Sequence, residues 1–116
     1  MTAPNATMLH PDIEGLERDD LIALQHKKLA RLGERLADVP EWVEHFKTAG
    51  IHPNDLADPQ ALASAPFLEK TMLRDRYPFP FLTADMTEVA RMSATSGTTG
   101  LPVLFGFTER DMNDLL

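Results

Sequence analysis

Cysteine is missing altogether from these 116 residues. That excludes disulfides, thiolate metal sites and a cysteine nucleophile, and leaves the redox compartment undecided. Cations are in the minority: 11 Lys and Arg stand against 18 Asp and Glu, for a net charge of −7. Such a surface has no basic face broad enough for a nucleic acid. No apolar run approaches the roughly 20 residues of a membrane-spanning helix. The opening Met1–Thr7 stretch has neither the basic start nor the apolar core of a secretory signal, so a cytoplasmic protein is expected. Two phosphate-binding fingerprints are absent as well. Nothing matches Gly-x-x-x-x-Gly-Lys-Ser/Thr, and there is no Gly-x-Gly-x-x-Gly turn of a dinucleotide fold. Internal repeats and low-complexity tracts are lacking too.

What remains is the composition of a globular protein, 43% hydrophobic and 25% charged, with length for one small domain and a modest core. Residues 1–12 read as a flexible polar tail, and 13–82 as a helical region. A first clear helix opens at Arg18 or Asp19, with Leu21, Leu24, Leu29, Leu32 and Leu36 on one face and Asp19 and Asp20 in the first turn, where the helix dipole favours negative charge. Lys27, Arg31 and Arg35 form a basic stripe beside that face, the ordinary pattern of a solvated flank. A second helix follows Pro40, with Trp42, Val43 and Phe46 inward and Gly50 as its C-terminal cap. His26 and His45 have no ligand-spaced companions and read as surface or half-buried residues. Asp58-Pro59 starts a third helix through Ala61, Leu62 and Ala65, stopped by Pro66. Lys70 to Arg76 makes a fourth, with Met72 or Leu73 inward. Tyr77-Pro78-Phe79-Pro80-Phe81 is expected to be an extended apolar connector lying on the next layer, because each Pro removes a backbone donor.

The stretch Arg91–Pro102 is of another kind. A strand, Thr87 to Ala94, leads into Thr95-Ser96-Gly97-Thr98-Thr99-Gly100, and an apolar strand, Val103 to Phe107, leads out. The second strand's composition suits burial on both faces. Alone, such a hydroxyl-and-glycine cluster is the usual content of a polar turn. It is longer than a hairpin needs, however, and its chemistry suits an oxyanion. Glycine permits positive φ and close approach. Successive N–H groups can converge into an anion-binding nest, and hydroxyls add rotatable donors. Beyond it, Thr108-x-x-Asp111 has the spacing of a helix N-cap.

Thr95-Ser96-Gly97-Thr98-Thr99-Gly100-x-Pro102 resembles the phosphate loop of the adenylate-forming superfamily, the acyl- and aryl-CoA ligases, and within it the phenylacetate–CoA ligase family. Ala49–Leu56, Leu62–Phe67, Lys70–Phe79 and Phe107–Asp111 are similar to further segments of that family, in the same order. The resemblance implies an α+β fold. Short N-terminal helices would be followed by a strand–phosphate loop–strand hairpin, with 83–116 the truncated start of an ATP-binding adenylation domain. It implies ATP, Mg2+ and coenzyme A as cofactors, the last bound outside this stretch, and an aromatic acid such as phenylacetate as substrate. Thr95, Ser96, Gly97, Thr98, Thr99 and Gly100 would hold the ATP phosphates. It assigns no catalytic residue and no metal ligand here, so the chain alone would not complete the reaction. One departure is Leu101, where the family commonly has Lys. Losing such a charge-assisted contact costs about 1.5–3 kcal/mol. Two other readings fit the same residues: a helical module in which 13–76 form a homodimer while the loop stays empty, or an adenylating enzyme with a different acceptor.

Overall fold

The computed structural model describes residues 10–96 and 100–114. It is α+β, as the sequence leads one to expect. In chain order the elements are α1 (Pro11–Glu14), α2 (Arg18–Ala37), α3 (Pro40–Lys47), α4 (Pro59–Ser64), α5 (Lys70–Asp75), β1 (Val89–Ala94), β2 (Leu104–Thr108) and α6 (Glu109–Asp114). Two short 3-10 turns, Pro53–Ala57 and Met86–Glu88, sit between them.

The long helix α2 begins at Arg18, with Asp19 and Asp20 in its first turn and Arg35 in its last. It stops where a proline follows: Val39, directly before Pro40, is forced into extended geometry at φ −111°, ψ 112°. Pro40 then opens α3. The end of α3 is a Schellman motif. The Ile51 N–H reaches back to the Phe46 carbonyl and the Gly50 N–H to the Lys47 carbonyl, with Gly50 at φ +73°. That turn swings the chain back across α2 and presents Ile51 to the core.

Leu36, Phe46 and Leu56 form this core, with Trp42, Ile51 and Ala65 packed around it. Each fully buried side chain of this size contributes about 1.5–3 kcal/mol relative to exposure. Leu56 comes from the 3-10 turn Pro53–Ala57, which the hydrophobic periodicity did not reveal, since the adjacent pair Leu56 and Ala57 in five residues carries no period. A capping box fixes this turn: His52 Nδ1 accepts from the Asn54 N–H, and Asp55 accepts from the His52 N–H. The turn lies so close to α2 that a Cβ on Gly33 would run into the Pro53 carbonyl oxygen.

Several expectations are corrected by the fold. Part of the expected 1–12 tail is helix α1; residues 1–9 lie outside the described residues. His45, expected at the surface or half-buried, is fully buried, because the α3 face carrying Trp42, His45 and Phe46 is closed over by Phe81. The connector Tyr77–Phe81 is bent rather than extended, with a cis Tyr77–Pro78 peptide and a turn at Pro80–Phe81. It does lie on the helices: the Trp42 and Phe81 rings meet edge to face at 4.8 Å, and Trp42 Nε1 donates to the Phe81 carbonyl at 2.9 Å. β1 starts at Val89 rather than Thr87, because Asp85 caps the preceding 3-10 turn by accepting from the Thr87 N–H at 2.8 Å.

The strands pair antiparallel, Arg91 with Phe107, Met92 with Gly106, Ser93 with Phe105 and Ala94 with Leu104, after an irregularity at Ala90. β2 is not covered on both faces here, since Phe105 remains 41% exposed and Met92 on β1 59%. Among the described residues, no helix is long and apolar enough to cross a membrane.

Candidate functional site

The hairpin connection, residues 95–103, is closed at its neck by one residue acting twice. The Thr95 N–H donates to the Val103 carbonyl at 3.0 Å, and the Thr95 hydroxyl oxygen accepts from the Val103 N–H at 3.1 Å. Val103 is fully buried beneath this clasp, at 1% exposure. The neck is therefore anchored at Thr95 and Val103. Thr95, read from sequence as one of the phosphate donors, accepts through its hydroxyl oxygen in this clasp, which leaves its O–H to donate. Ser96 is exposed. Gly100 is exposed with φ +128°, a conformation side chains rarely adopt, and no atom lies within 4 Å of where its Cβ would stand. Gly97, Thr98 and Thr99 lie outside the described residues. Leu101 projects into solvent, 58% exposed, at the position where the resemblance leads one to expect Lys.

Ser96 and Gly100 thus fit a phosphate group: both are accessible, and the glycine leaves room for an oxyanion to approach the backbone. Among the described residues, no group of three or more His, Asp or Glu is placed to hold a metal ion.

At the opposite end of the hairpin, about 17 Å away for five residues of strand, an open polar cleft of about 900 Å³ is lined by Arg35, Thr83, Thr87, Glu88 and Asp111. Three of its charged groups, Asp111, Glu88 and Arg35, are engaged in hydrogen bonds within the chain. Asp111 forms the cap expected from Thr108-x-x-Asp111, accepting from the Thr108 N–H and hydroxyl, both at 2.8 Å. These hydrogen bonds, and then the Arg35 and Arg110 charges, hold its carboxyl below the usual aspartate value. Glu88 accepts from the Asp85 N–H at 3.1 Å, and Arg35 donates to Thr83 Oγ1 at 3.0 Å. The cleft is a seam tying α2 to the start of the hairpin. Sequence reading missed that Arg35, seen only as part of a solvated stripe, makes this tie across 48 residues.

Comparison with known proteins gives the same family as the motifs. The chain is 40% identical over 106 residues to a protein of Thermus thermophilus named phenylacetate-coenzyme A ligase, a match covering 90% of this chain and 24% of that protein. Proteins of the same name from Aromatoleum evansii and Escherichia coli K12 are 39% and 38% identical, covering 95% and 93% of this chain. The chain spans about a quarter of the length of these curated relatives. No family model matches it. Over nearly its whole length, then, this chain is similar to phenylacetate–CoA ligases, and the resemblance read from the loop and its flanking segments stands.

Proposed function

We propose that this chain is one part of an ATP-dependent aryl-CoA ligase and supplies the loop that holds the ATP phosphates. In the reaction so proposed, a carboxylate oxygen of an aromatic acid attacks the α-phosphorus of ATP and pyrophosphate leaves. The thiol of coenzyme A then attacks the acyl carbon, AMP leaves, and a thioester remains. The chain's share is to grip the departing pyrophosphate through Ser96, Thr98 and Thr99 hydroxyls and through backbone N–H groups that Gly97 and Gly100 leave uncovered. Positioning and charge stabilisation govern such phosphoryl chemistry. Thr95 takes the separate role of clasping the neck. Residues 13–82 form the helical region and 83–116 belong to the nucleotide-binding part. The acyl pocket, the Mg2+ ligands and the coenzyme A site lie elsewhere in the enzyme, so this chain alone turns over no substrate. Its setting is the cytoplasm, and nucleic acid is not a partner.

The observation that carries this reading is the Thr95–Val103 clasp, beside which Ser96 and Gly100 are exposed, in a chain similar to named CoA ligases. Amide NMR tests it. Pyrophosphate or Mg·ATP should shift the Ser96 and Gly100 N–H resonances, and the double change Thr98→Ala/Thr99→Ala should abolish those shifts. Shifts scattered over the surface, or unaffected by the double change, would remove the assignment.

A further inference from the structure

Among the described residues, His45 is the one polar or charged side chain that the fold buries, at 6% exposure. Three aromatic rings stand around it. The centroids of Trp42, Phe46 and Phe81 lie 6.1, 6.2 and 6.2 Å from its own, each pair meeting edge to face. Nε2 is buried there and has no hydrogen-bond partner among the described residues. Such a seat accommodates an uncharged imidazole. An imidazolium would bring a full charge and a second N–H donor to a place with no acceptor beside Nε2.

The same side chain has a second place to go. Beside the ring, an open cavity of about 260 Å³ lies between α3 and α5. Its charged lining is Glu41 and Glu44 of α3 with Asp75 and Arg76 of α5, and the connector adds the uncharged Phe81. Glu44 is engaged with Arg76 at 3.0 Å, while Glu41 and Asp75 have no ion-pair partner among the described residues. Glu41 stands four residues before His45, the spacing that brings an acid and a following cation together on a helix. His45 also lies in the last turn of α3, where the helix dipole favours positive charge. The aromatic seat therefore suits the neutral ring, and the cavity suits the charged one.

We propose that His45 is a proton-operated latch between the helical core and the connector. Uncharged, the ring sits under Phe81 and holds Tyr77–Phe81 against α3. On taking up a proton it turns into the cavity towards Glu41, and its packing with Phe81 is lost. The hydrogen bond from Trp42 Nε1 to the Phe81 carbonyl, 2.9 Å long, then opens. Because the connector runs on through Leu82 to Thr83 and the hairpin, acid loosens the join between the two regions. The core of Leu36, Phe46 and Leu56 stays folded.

The latch is independent of the phosphate loop, and its test involves no nucleotide. The indole N–H of Trp42, the chain's only tryptophan, reports it by NMR on the intact chain. From pH 8 to pH 5 its protection factor against hydrogen exchange should fall about tenfold, as a minor open state gains population. The midpoint should coincide with that of the His45 ring resonances. His52, whose Nδ1 accepts from the Asn54 N–H, also loses that role on protonation, so the variants leave it in place. His45→Gln stays uncharged and should keep the indole protected throughout. Glu41→Gln takes away the charged ring's partner and should move the midpoint to lower pH. Far-UV circular dichroism shows that the helices are retained in each. Protection that ignores pH, a midpoint apart from that of His45, opening that persists in His45→Gln, or Glu41→Gln without effect would each overturn the proposal.

Discussion

The helical region and the hairpin solve the same problem differently. Around α2, α3 and the Pro53–Ala57 turn, apolar side chains find one another, leaving Leu36, Phe46 and Leu56 at 6%, 5% and 3% exposure. Among the described residues of the hairpin only Val103 is comparably buried, while Met92, Leu101 and Phe105 stand open. Helices joined by short turns supply each other with partners within a few tens of residues. A two-stranded sheet has two faces to cover and is marginal without further strands or helices. The helical region therefore carries the core, and the hairpin relies more on its clasp and its caps.

The largest effect expected is from Phe46→Ala, which should remove about 3–5 kcal/mol through lost burial and a cavity. Denaturant unfolding followed by circular dichroism measures it. If the contrast holds, hydrogen exchange at the β1–β2 amides stays unchanged. A matching loss of hairpin protection would show that the two regions unfold as one. Gly33→Ala comes next, at about 1–3 kcal/mol, because the added Cβ must push the Pro53 turn away from α2. On the hairpin side, Thr95→Val should cost about 1 kcal/mol by leaving the Val103 N–H without its acceptor. That amide should then exchange faster, and Thr95→Ser should preserve it.

A smaller effect concerns pH. The Asp111 carboxyl is held low by the Thr108 hydrogen bonds. A group depressed in the folded state contributes stability that is complete above its unfolded value, near 3.9, and that fades as pH falls through the lowered one. Fraying of α6 should therefore appear only below the ordinary aspartate range. Asp111→Asn should remove this pH dependence, as read by the Thr108 amide resonance. Least of all should follow from Glu44→Gln. The Arg76–Glu44 pair at 3.0 Å joins two well-exposed side chains, and solvent screens it. Unfolding midpoints of the two proteins should coincide.

Periodicity and punctuation made α2, α3, α4 and α5 legible, because Pro40, Gly50, Pro59 and Pro66 act on the chain directly beside them. The cap at Thr108 and Asp111 was legible for the same reason. Residue types at fixed spacing in the loop and its flanking segments carried the resemblance to CoA ligases, and similarity to proteins of that name agrees with it. His45 and Arg35 could not be placed that way. One is buried by Phe81 and the other bonded to Thr83, partners 36 and 48 residues on that local pattern does not reach.

The chain's own order of residues determined where helices start and stop, which segment bends into the glycine-rich loop, and which family of proteins it resembles. Only tertiary structure decided that the Pro53–Ala57 turn completes the core, that Thr95 clasps the loop, and that most of α2 is left uncovered. Local conformation follows from the chemistry of neighbouring residues. Burial depends on which distant surfaces the turns bring together.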